Sequence, residues 1–235
     1  MAVSIDTVYQ RVLAFANKEQ RGYITPQQFN LFADQAQKEI LEQYFYDLNQ
    51  WSRTPGNDTE YSDMLSVLQE KMSALETIII GATVSGGIYN HTVIQNFYKL
   101  GSVHAINLTS SQLVEVEEVN NNEWHNMQSA PLTRPTLNRP VYVNRNNGIH
   151  VYPPTIAAIN ISYIKKPIKP NWGYVVVNGK TLYNDNVSVD FELHTSEETE
   201  LVYRILAYAG ISIEKPQVTQ VASQALASQI QQEKQ

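Results

Sequence analysis

PVYVNRNNGIHVYPPTIAAINISYIKKP, residues 140–167, is the stretch that decides the fold. It predicts two short strands, Val141–Arg145 and Ile149–Tyr152, joined by a tight turn at Asn146-Asn147-Gly148, because Gly supplies the positive φ that hairpin turns need. A third strand, Ala157–Lys165, follows. These strands form a compact β-meander that carries no catalytic motif. We therefore expect this chain to act through its surfaces and not as an enzyme.

Helical patterns precede the meander. Ile5 to Lys18 carries an apolar stripe at helical spacing. Thr25-Pro26-Gln27-Gln28 is a strong helix start, because Thr25 is suited to the N-cap, Pro26 to the first turn and Gln28 to closing a capping box. The long amphipathic helix that begins there ends near Gln50. A weaker helix is predicted around Met64–Leu75.

Helical patterns also follow it. A helix is predicted from His194, with Thr195 and Glu198 as its capping box, and Gly210 ends it. The last segment, Gln217 to Gln235, is rich in Ala, Gln and Ser. Its apolar stripe is thin, so this segment either frays or packs on a neighbouring subunit.

The region between these helices has the composition of a sheet, so the fold class is α+β: N-terminal helices, a central antiparallel β-module and C-terminal helices. We expect boundaries that divide the chain into 1–76, 77–193 and 194–235, which make one or two structural domains. Asn120–Asn138 reads as an irregular excursion. Besides the meander, the predicted strands are Ile78–Val84, His91–Leu100, Val103–Leu108, Leu113–Val119, Tyr174–Val177, Thr181–Tyr183 and Val187–Phe191.

Composition excludes several classes of function. The 235 residues carry a net charge of −6, and the densest basic cluster is Lys165, Lys166 and Lys169, so tight nucleic-acid binding is not expected. DNA can still pass an acidic wall without sticking to it. There is no cysteine, hence no disulfide and no thiolate metal site. The N-terminus lacks the pattern of a signal peptide, and the longest apolar run is too short to span a bilayer.

Catalytic patterns are weak. The five histidines show no metal-ligand spacing, and the Gly81–Gly87 segment lacks the lysine of a phosphate loop. Glu115 and Glu117 would share one face of the predicted strand, at a separation compatible with glycoside hydrolysis, although a solvated strand face explains them more simply. We predict no catalytic residue, no cofactor and no metal site.

Aromatic and apolar residues offer candidate contacts with partners. On the long helix Tyr44 faces the core, so Phe45 and Tyr46 point elsewhere, and Trp51 lies close by. The thin stripe of the last segment adds further apolar side chains. The predicted interface residues are Phe45, Tyr46, Trp51, Val218, Val221 and Ile230.

A family resemblance emerges from three segments: YQRVLAFANKEQRGYITPQQFNLFADQAQKEI at 9–40, the meander, and EETELVYRILAYAGI at 197–211, followed by the Gln/Ala-rich tail. In their order, the chain resembles the head–tail connector (adaptor or ring) proteins of short-tailed bacteriophages. Its opening segment is most similar to virion proteins of crAss-like phages.

The resemblance implies a non-enzymatic structural protein of the virion neck, assembled in the host cytoplasm. Such subunits form a ring, commonly twelve-fold, below the portal and around the DNA exit channel. The implied partners are copies of the chain, the portal protein and adjacent tail or ring proteins. DNA would pass through the lumen without specific binding, and no membrane is involved.

Two alternatives belong to other classes. One is a virion surface module that recognises a glycan or receptor, which would place Trp124, Trp172 and Tyr174 on an exposed patch. The other is a glycoside hydrolase that uses Glu115 and Glu117.

Overall fold

The structure, a computed structural model, confirms the α+β class and divides the chain into two compact units. The helical unit is discontinuous: it comprises residues 1–75 and 167–235, and the β-unit, 76–166, is inserted between these two segments. The residues that the structure describes are 2–17, 24–51, 64–90, 94, 96–106, 112–212, 220 and 222–228.

In the described ranges the helical unit contains four named helices, a further helical segment at 222–228 and two small antiparallel sheets. Among the helices in the described ranges, a run of apolar sequence long enough to cross a bilayer does not occur. The helices are α1 (Ile5–Asn17), α2 (Pro26–Trp51), α3 (Met64–Ser73) and α5 (Glu198–Ser212); the strand pairs are β1 (Ala2–Val3) with β12 (Phe191–His194), and β10 (Tyr174–Val177) with β11 (Lys180–Tyr183).

The predicted start of α2 is confirmed. The Thr25 hydroxyl accepts a hydrogen bond from the Gln28 backbone N–H at 3.3 Å, and the Gln28 side chain accepts one from the Thr25 N–H at 3.1 Å. Such a reciprocal capping box satisfies two backbone donors that have no partner within the helix. Phe29 and Ile40 then lie in the core with Ile5 of α1 and Ile205 of α5.

Two polar side chains of α2 hold the segment that follows the β-unit. Asn30 donates to Asn171 Oδ1 at 2.9 Å and accepts from the Trp172 N–H at 2.8 Å. Gln37, which is fully buried, donates to the Ile168 carbonyl at 2.9 Å and accepts from the Glu192 N–H at 3.0 Å. The two residues are seven apart, so they lie on one face of the helix. These two side chains supply hydrogen-bond partners to backbone groups of the segment after the β-unit, which forms only short strands.

Two buried carboxylates of the helical unit lie beside cations. Lys71 Nζ lies 2.9 Å from Glu197, whose side chain is almost wholly buried. Arg204 lies 2.6 Å from Glu200 and 3.1 Å from Glu39. Burial, together with a hydrogen bond to Glu39, raises the pKa of Tyr208 to about 12. Buried charges are tolerated only when paired in this way, so these groups serve the fold.

The β-unit contains two four-stranded sheets. The first has the order β2-β9-β4-β5 and the second has the order β3-β8-β7-β6; neighbouring strands are antiparallel except β6 and β7, which are parallel. The strands are β2 (Glu76–Thr83), β3 (Ile88–Tyr89), β4 (Phe97–Ile106), β5 (Leu113–Glu115), β6 (Glu117–Glu118), β7 (Val141–Arg145), β8 (Gly148–Tyr152) and β9 (Ala158–Lys165).

The meander is confirmed, since β7, β8 and β9 occupy the predicted positions. Gly148 has φ +144°, and a Cβ at that position would collide with the Tyr89 carbonyl oxygen of β3. Glycine is therefore required for the turn and also for the approach of β3. The second predicted hairpin is also confirmed, with Asn178 at φ +51° and Gly179 at φ +76° in the turn.

The inner faces of the two sheets form one hydrophobic cluster. Ile159 and Ile161 of the first sheet and Ile149 and Val151 of the second belong to it, all wholly or almost wholly buried. Alternation of apolar side chains along each strand produces this shared core, as in other sheets packed face to face.

The expectation that Asn120–Asn138 is irregular is wrong in its first half, which forms helix α4 (Asn121–Ser129). The Glu123 carboxylate accepts from the Asn120 N–H at 3.1 Å, a capping contact that starts the helix. Trp124 and Met127 pack on a cluster of valines from the second sheet, and the Trp124 ring lies 5.0 Å from Tyr152. The helix therefore covers the outer face of this sheet.

Other boundaries also differ. His91–Leu100 and Val103–Leu108 were predicted as two strands, but β4 is one strand across 97–106. Leu113–Val119 was predicted as one strand, but it is divided between β5 and β6, which lie in different sheets.

The C-terminal boundary of the β-region differs as well. It was expected at 193/194, whereas the β-unit ends at Lys166, because β12 pairs with the N-terminal β1. The predicted strand Val187–Phe191 is replaced by a 3₁₀ turn at Asp185–Val187 and β12. Helix α5 starts at Glu198 after a second 3₁₀ turn, with His194 at the cap of that turn, so the predicted Thr195–Glu198 capping box is wrong.

Candidate functional site

The predicted interface residues of α2 lie at its C-terminal end. Tyr44 is buried, Phe45 is half-buried and Tyr46 is 65% exposed, so the predicted difference between Tyr44 and its neighbour Tyr46 is confirmed. Trp51 is the last residue of α2, and its side chain lies outside the described residues, as do Val218, Val221 and Ile230. Among the predicted interface residues whose side chains the structure describes, Tyr46 is therefore the one with a largely exposed aromatic ring.

A larger apolar surface lies on the edge strand β2. Ile78 and Ile80, two residues apart on the same face, are 62% and 78% exposed. In the described part of the chain β9 is the sheet partner of β2, and its opposite edge faces no other strand. An eight-residue edge strand with exposed isoleucines is a template for pairing with another chain. We call Glu76–Ile80 the β2 edge.

A bulge limits this template to its first five residues. Ile79 pairs with Ile161 and Ala82 with Ile159, so one extra residue lies between them, and Gly81 there has φ +69°. The Gly81 N–H donates to the Asn160 side chain at 2.8 Å. The bulge keeps Ile79 and Ala82 directed into the core while the side chains of the β2 edge remain regular.

Two other edge strands of the β-unit, β5 and β6, are protected against pairing with another chain. β5 and β6 are edge strands of three and two residues, and they carry Glu115, Glu117 and Glu118. Short, charged edge strands resist pairing with other chains. The β2 edge is longer and carries two exposed isoleucines, so it lacks these protections.

The β10–β11 hairpin is a second exposed apolar surface, in the helical unit. Val175, Val176 and Val177 are all exposed, Val176 at 63%, and Leu182 opposite Val175 is exposed too. Three consecutive exposed valines mean that both faces of the hairpin carry apolar groups that solvent reaches. An isolated two-stranded hairpin is at best marginally stable in water, so these surfaces favour a partner.

The base of the hairpin is anchored while its tip is exposed. The ring of Trp172 lies 5.9 Å from that of Tyr174 and 5.8 Å from that of Tyr183, and it packs on Tyr9 at 4.1 Å. Its indole N–H donates to Asp6 at 2.9 Å. Trp172 is 2% exposed, so the expected exposed patch that includes it is wrong. This tryptophan fixes the base of the hairpin to the helices.

A polar groove of about 460 Å³ lies between β4 and β5 of one sheet and β6 and β7 of the other. Glu115 and Glu117, the carboxylates of the hydrolase hypothesis, both line it, but they belong to different sheets and not to one strand face as expected. Arg139 and the buried Tyr142 line it too. Burial raises the pKa of the Tyr142 hydroxyl well above its usual range, and the nearby Glu118 raises it further.

The histidines that the structure describes lie on different elements of the fold. His150 Nε2 lies 2.8 Å from Asn147 Oδ1, and His194 Nδ1 accepts from the Ser196 N–H at 3.4 Å. His91 lies outside the described residues. Across the described ranges, no three His, Asp or Glu side chains are grouped so that they could hold a metal ion.

The two main surfaces were missed in the sequence, although each has a signal there. Ile78-Ile79-Ile80 and Val175-Val176-Val177 are runs without a polar residue, and such runs place apolar groups on both faces of a strand. A search of protein-family models found no match for the chain. A search of curated proteins found none either.

Proposed function

We propose that this chain is a non-enzymatic structural protein of a bacteriophage virion, a subunit of the ring that forms the head–tail connector below the portal. The ring surrounds the DNA exit channel. One observation carries the proposal: a single subunit presents two unlike apolar strand surfaces, the β2 edge in one unit and the β10–β11 hairpin in the other.

Two unlike surfaces are what a ring requires. A two-fold dimer uses one self-complementary patch, whereas a ring uses a head-to-tail contact between two different patches and closes by rotation. The family resemblance of the helices and the meander supplies the phage context. The resemblance also makes the portal protein and adjacent tail or ring proteins the expected partners, and twelve the expected number of subunits.

The charge of the chain is consistent with a DNA channel. A net charge of −6, with carboxylates along β5 and β6, repels phosphate and lets DNA slide past without sticking. No specific DNA contact is needed for this role.

Mass measurement by light scattering tests the proposal, on the purified chain and on the chain mixed with the portal protein of the same genome. We expect a large closed oligomer in at least the second sample. Ile78→Lys and Val176→Lys should each abolish assembly while the subunit keeps its circular dichroism spectrum. Leu113→Lys, at an exposed position on the protected edge strand β5, is the matched control and should assemble normally. Failure of the unmodified chain to assemble in either sample would refute the proposal.

A further inference from the structure

We infer that the β10–β11 hairpin of one copy docks along the β2 edge of a second copy and extends its first sheet. This inference rests on the proposed ring and names the two surfaces that meet in it. It commits to a contact between unlike patches of identical chains, as a closed ring requires.

The two surfaces match in size and in backbone chemistry. The β2 edge offers five regular residues before the bulge, and each strand of the hairpin has four. In the described part of the chain each strand of the hairpin pairs with the other strand alone, so the hairpin has unpaired backbone groups to offer, and so does the β2 edge. Addition of a strand satisfies such groups on both partners at once.

The side chains also match, and they select one face of the hairpin. Val175, Val177, Leu182 and Lys180 lie on the same face, because Val175 pairs with Leu182 and Val177 with Lys180. Along the β2 edge the corresponding face carries an acidic residue followed by apolar ones. That face consists of Glu76, Ile78 and Ile80.

Placing these faces side by side covers apolar groups with apolar groups. With β11 as the added strand, the docking also brings the exposed Lys180 towards the exposed Glu76, which contributes charge complementarity. The opposite face of the hairpin, with Val176, would then pack on whatever neighbour lies below the extended sheet.

The natural absence of cysteine gives a clean test. Ile78→Cys in one preparation is mixed with Leu182→Cys or Val175→Cys in another that carries a mass tag. The mixture is assembled under the conditions that give the ring and is then oxidised. We expect a cross-linked heterodimer on a non-reducing gel, because opposite side chains of paired strands have Cβ atoms about 4.5–5.5 Å apart. Leu113→Cys replaces Ile78→Cys in the control, which should stay at background.

Charge reversal gives a second readout that needs no cross-link. Glu76→Lys and Lys180→Glu should each slow assembly several-fold, and the double variant should recover most of the loss, because the opposite charges are restored in exchanged positions. If the double variant instead assembles more slowly by the combined effect of the two single variants, the two residues do not meet.

The outcomes separate this inference from the proposed function. A ring of normal mass without the Ile78–Leu182 or Ile78–Val175 cross-link overturns the docking and leaves the ring intact. A cross-link between two Ile78→Cys copies shows two-fold pairing of β2 edges and also overturns it. No assembly in any sample overturns both.

Discussion

Gln37 offers a sharp test of how the helical unit is held together. Its amide joins α2 to both Ile168 and Glu192, which lie on the far side of the inserted β-unit in sequence. Gln37→Leu keeps the side-chain volume roughly constant but removes both hydrogen bonds. The Ile168 carbonyl and the Glu192 N–H then lose the hydrogen bond to this side chain.

The size of the effect follows from these two groups. A buried backbone group without a partner costs about 1–3 kcal/mol, so the pair would cost about 2–6 kcal/mol if water were fully excluded. Both bonds are only partly buried, so water replaces part of each, and we expect a loss of about 1–3 kcal/mol. With a urea slope of about 1–3 kcal/mol per molar, the unfolding midpoint should fall by roughly 1 M.

The assay is urea unfolding, combined with hydrogen exchange of the peptides that contain residues 168–172 and 191–194. Faster hydrogen exchange in these peptides would show that the loss of stability lies in these two segments. Gln35→Leu is the matched control: the same substitution on the same helix removes a hydrogen bond to Glu39 that is exposed, so water replaces it and stability should change by less than about 0.5 kcal/mol. An equal midpoint for the two variants would show that the Gln37 amide does not hold the two segments together.

Three further changes test other parts of the fold. Lys71→Met leaves the buried Glu197 carboxylate without its cation, so we expect a loss of about 3–5 kcal/mol in thermal unfolding, and Lys71→Arg should retain most of the stability. Thr25→Ala removes the hydroxyl half of the α2 capping box and should cost about 1 kcal/mol; a double-mutant cycle with Gln28→Ala should show coupling. Burial lowers the pKa of His150 below 6.5. As the pH drops, the unfolded chain therefore takes up a proton at this histidine at a higher pH than the folded chain does, and the free energy of unfolding should fall as the pH drops below the unfolded value of 6.5. Urea midpoints between about pH 7.5 and pH 5 should decline less in His150→Gln, and equal slopes would show that this histidine does not contribute.

Local signals predicted the local parts of the fold. The meander alternates apolar and polar residues around a glycine turn, and Thr25-Pro26-Gln27-Gln28 contains a full capping box; both are where the sequence places them. Helix α4 was missed although Asn120 and Glu123 have capping spacing, because its polar composition hides the apolar pair Trp124 and Met127 that packs on the sheet.

Non-local pairings were beyond sequence reasoning. β12 is four residues long and exists because it pairs with Ala2 and Val3 at the other end of the chain. The same limit applies to the candidate site. A run such as Ile78-Ile79-Ile80 predicts a strand buried on both faces, and only the sheet order shows that β2 lies at an edge with two of these side chains exposed. Whether β2 lies at an edge depends on which strands from later parts of the sequence pair with it.

The inserted position of the β-unit reverses the order in which the chain folds during translation. The β-unit, residues 76–166, is continuous in sequence and has all of its strands once Lys166 has left the ribosome. The first 75 residues are made earlier, but β1 must wait for β12 and α1 for α5, both of which follow the β-unit in the sequence. The helices of the first 75 residues thus lack these partners until α5 has been synthesised, and chaperones have this interval in which to protect them.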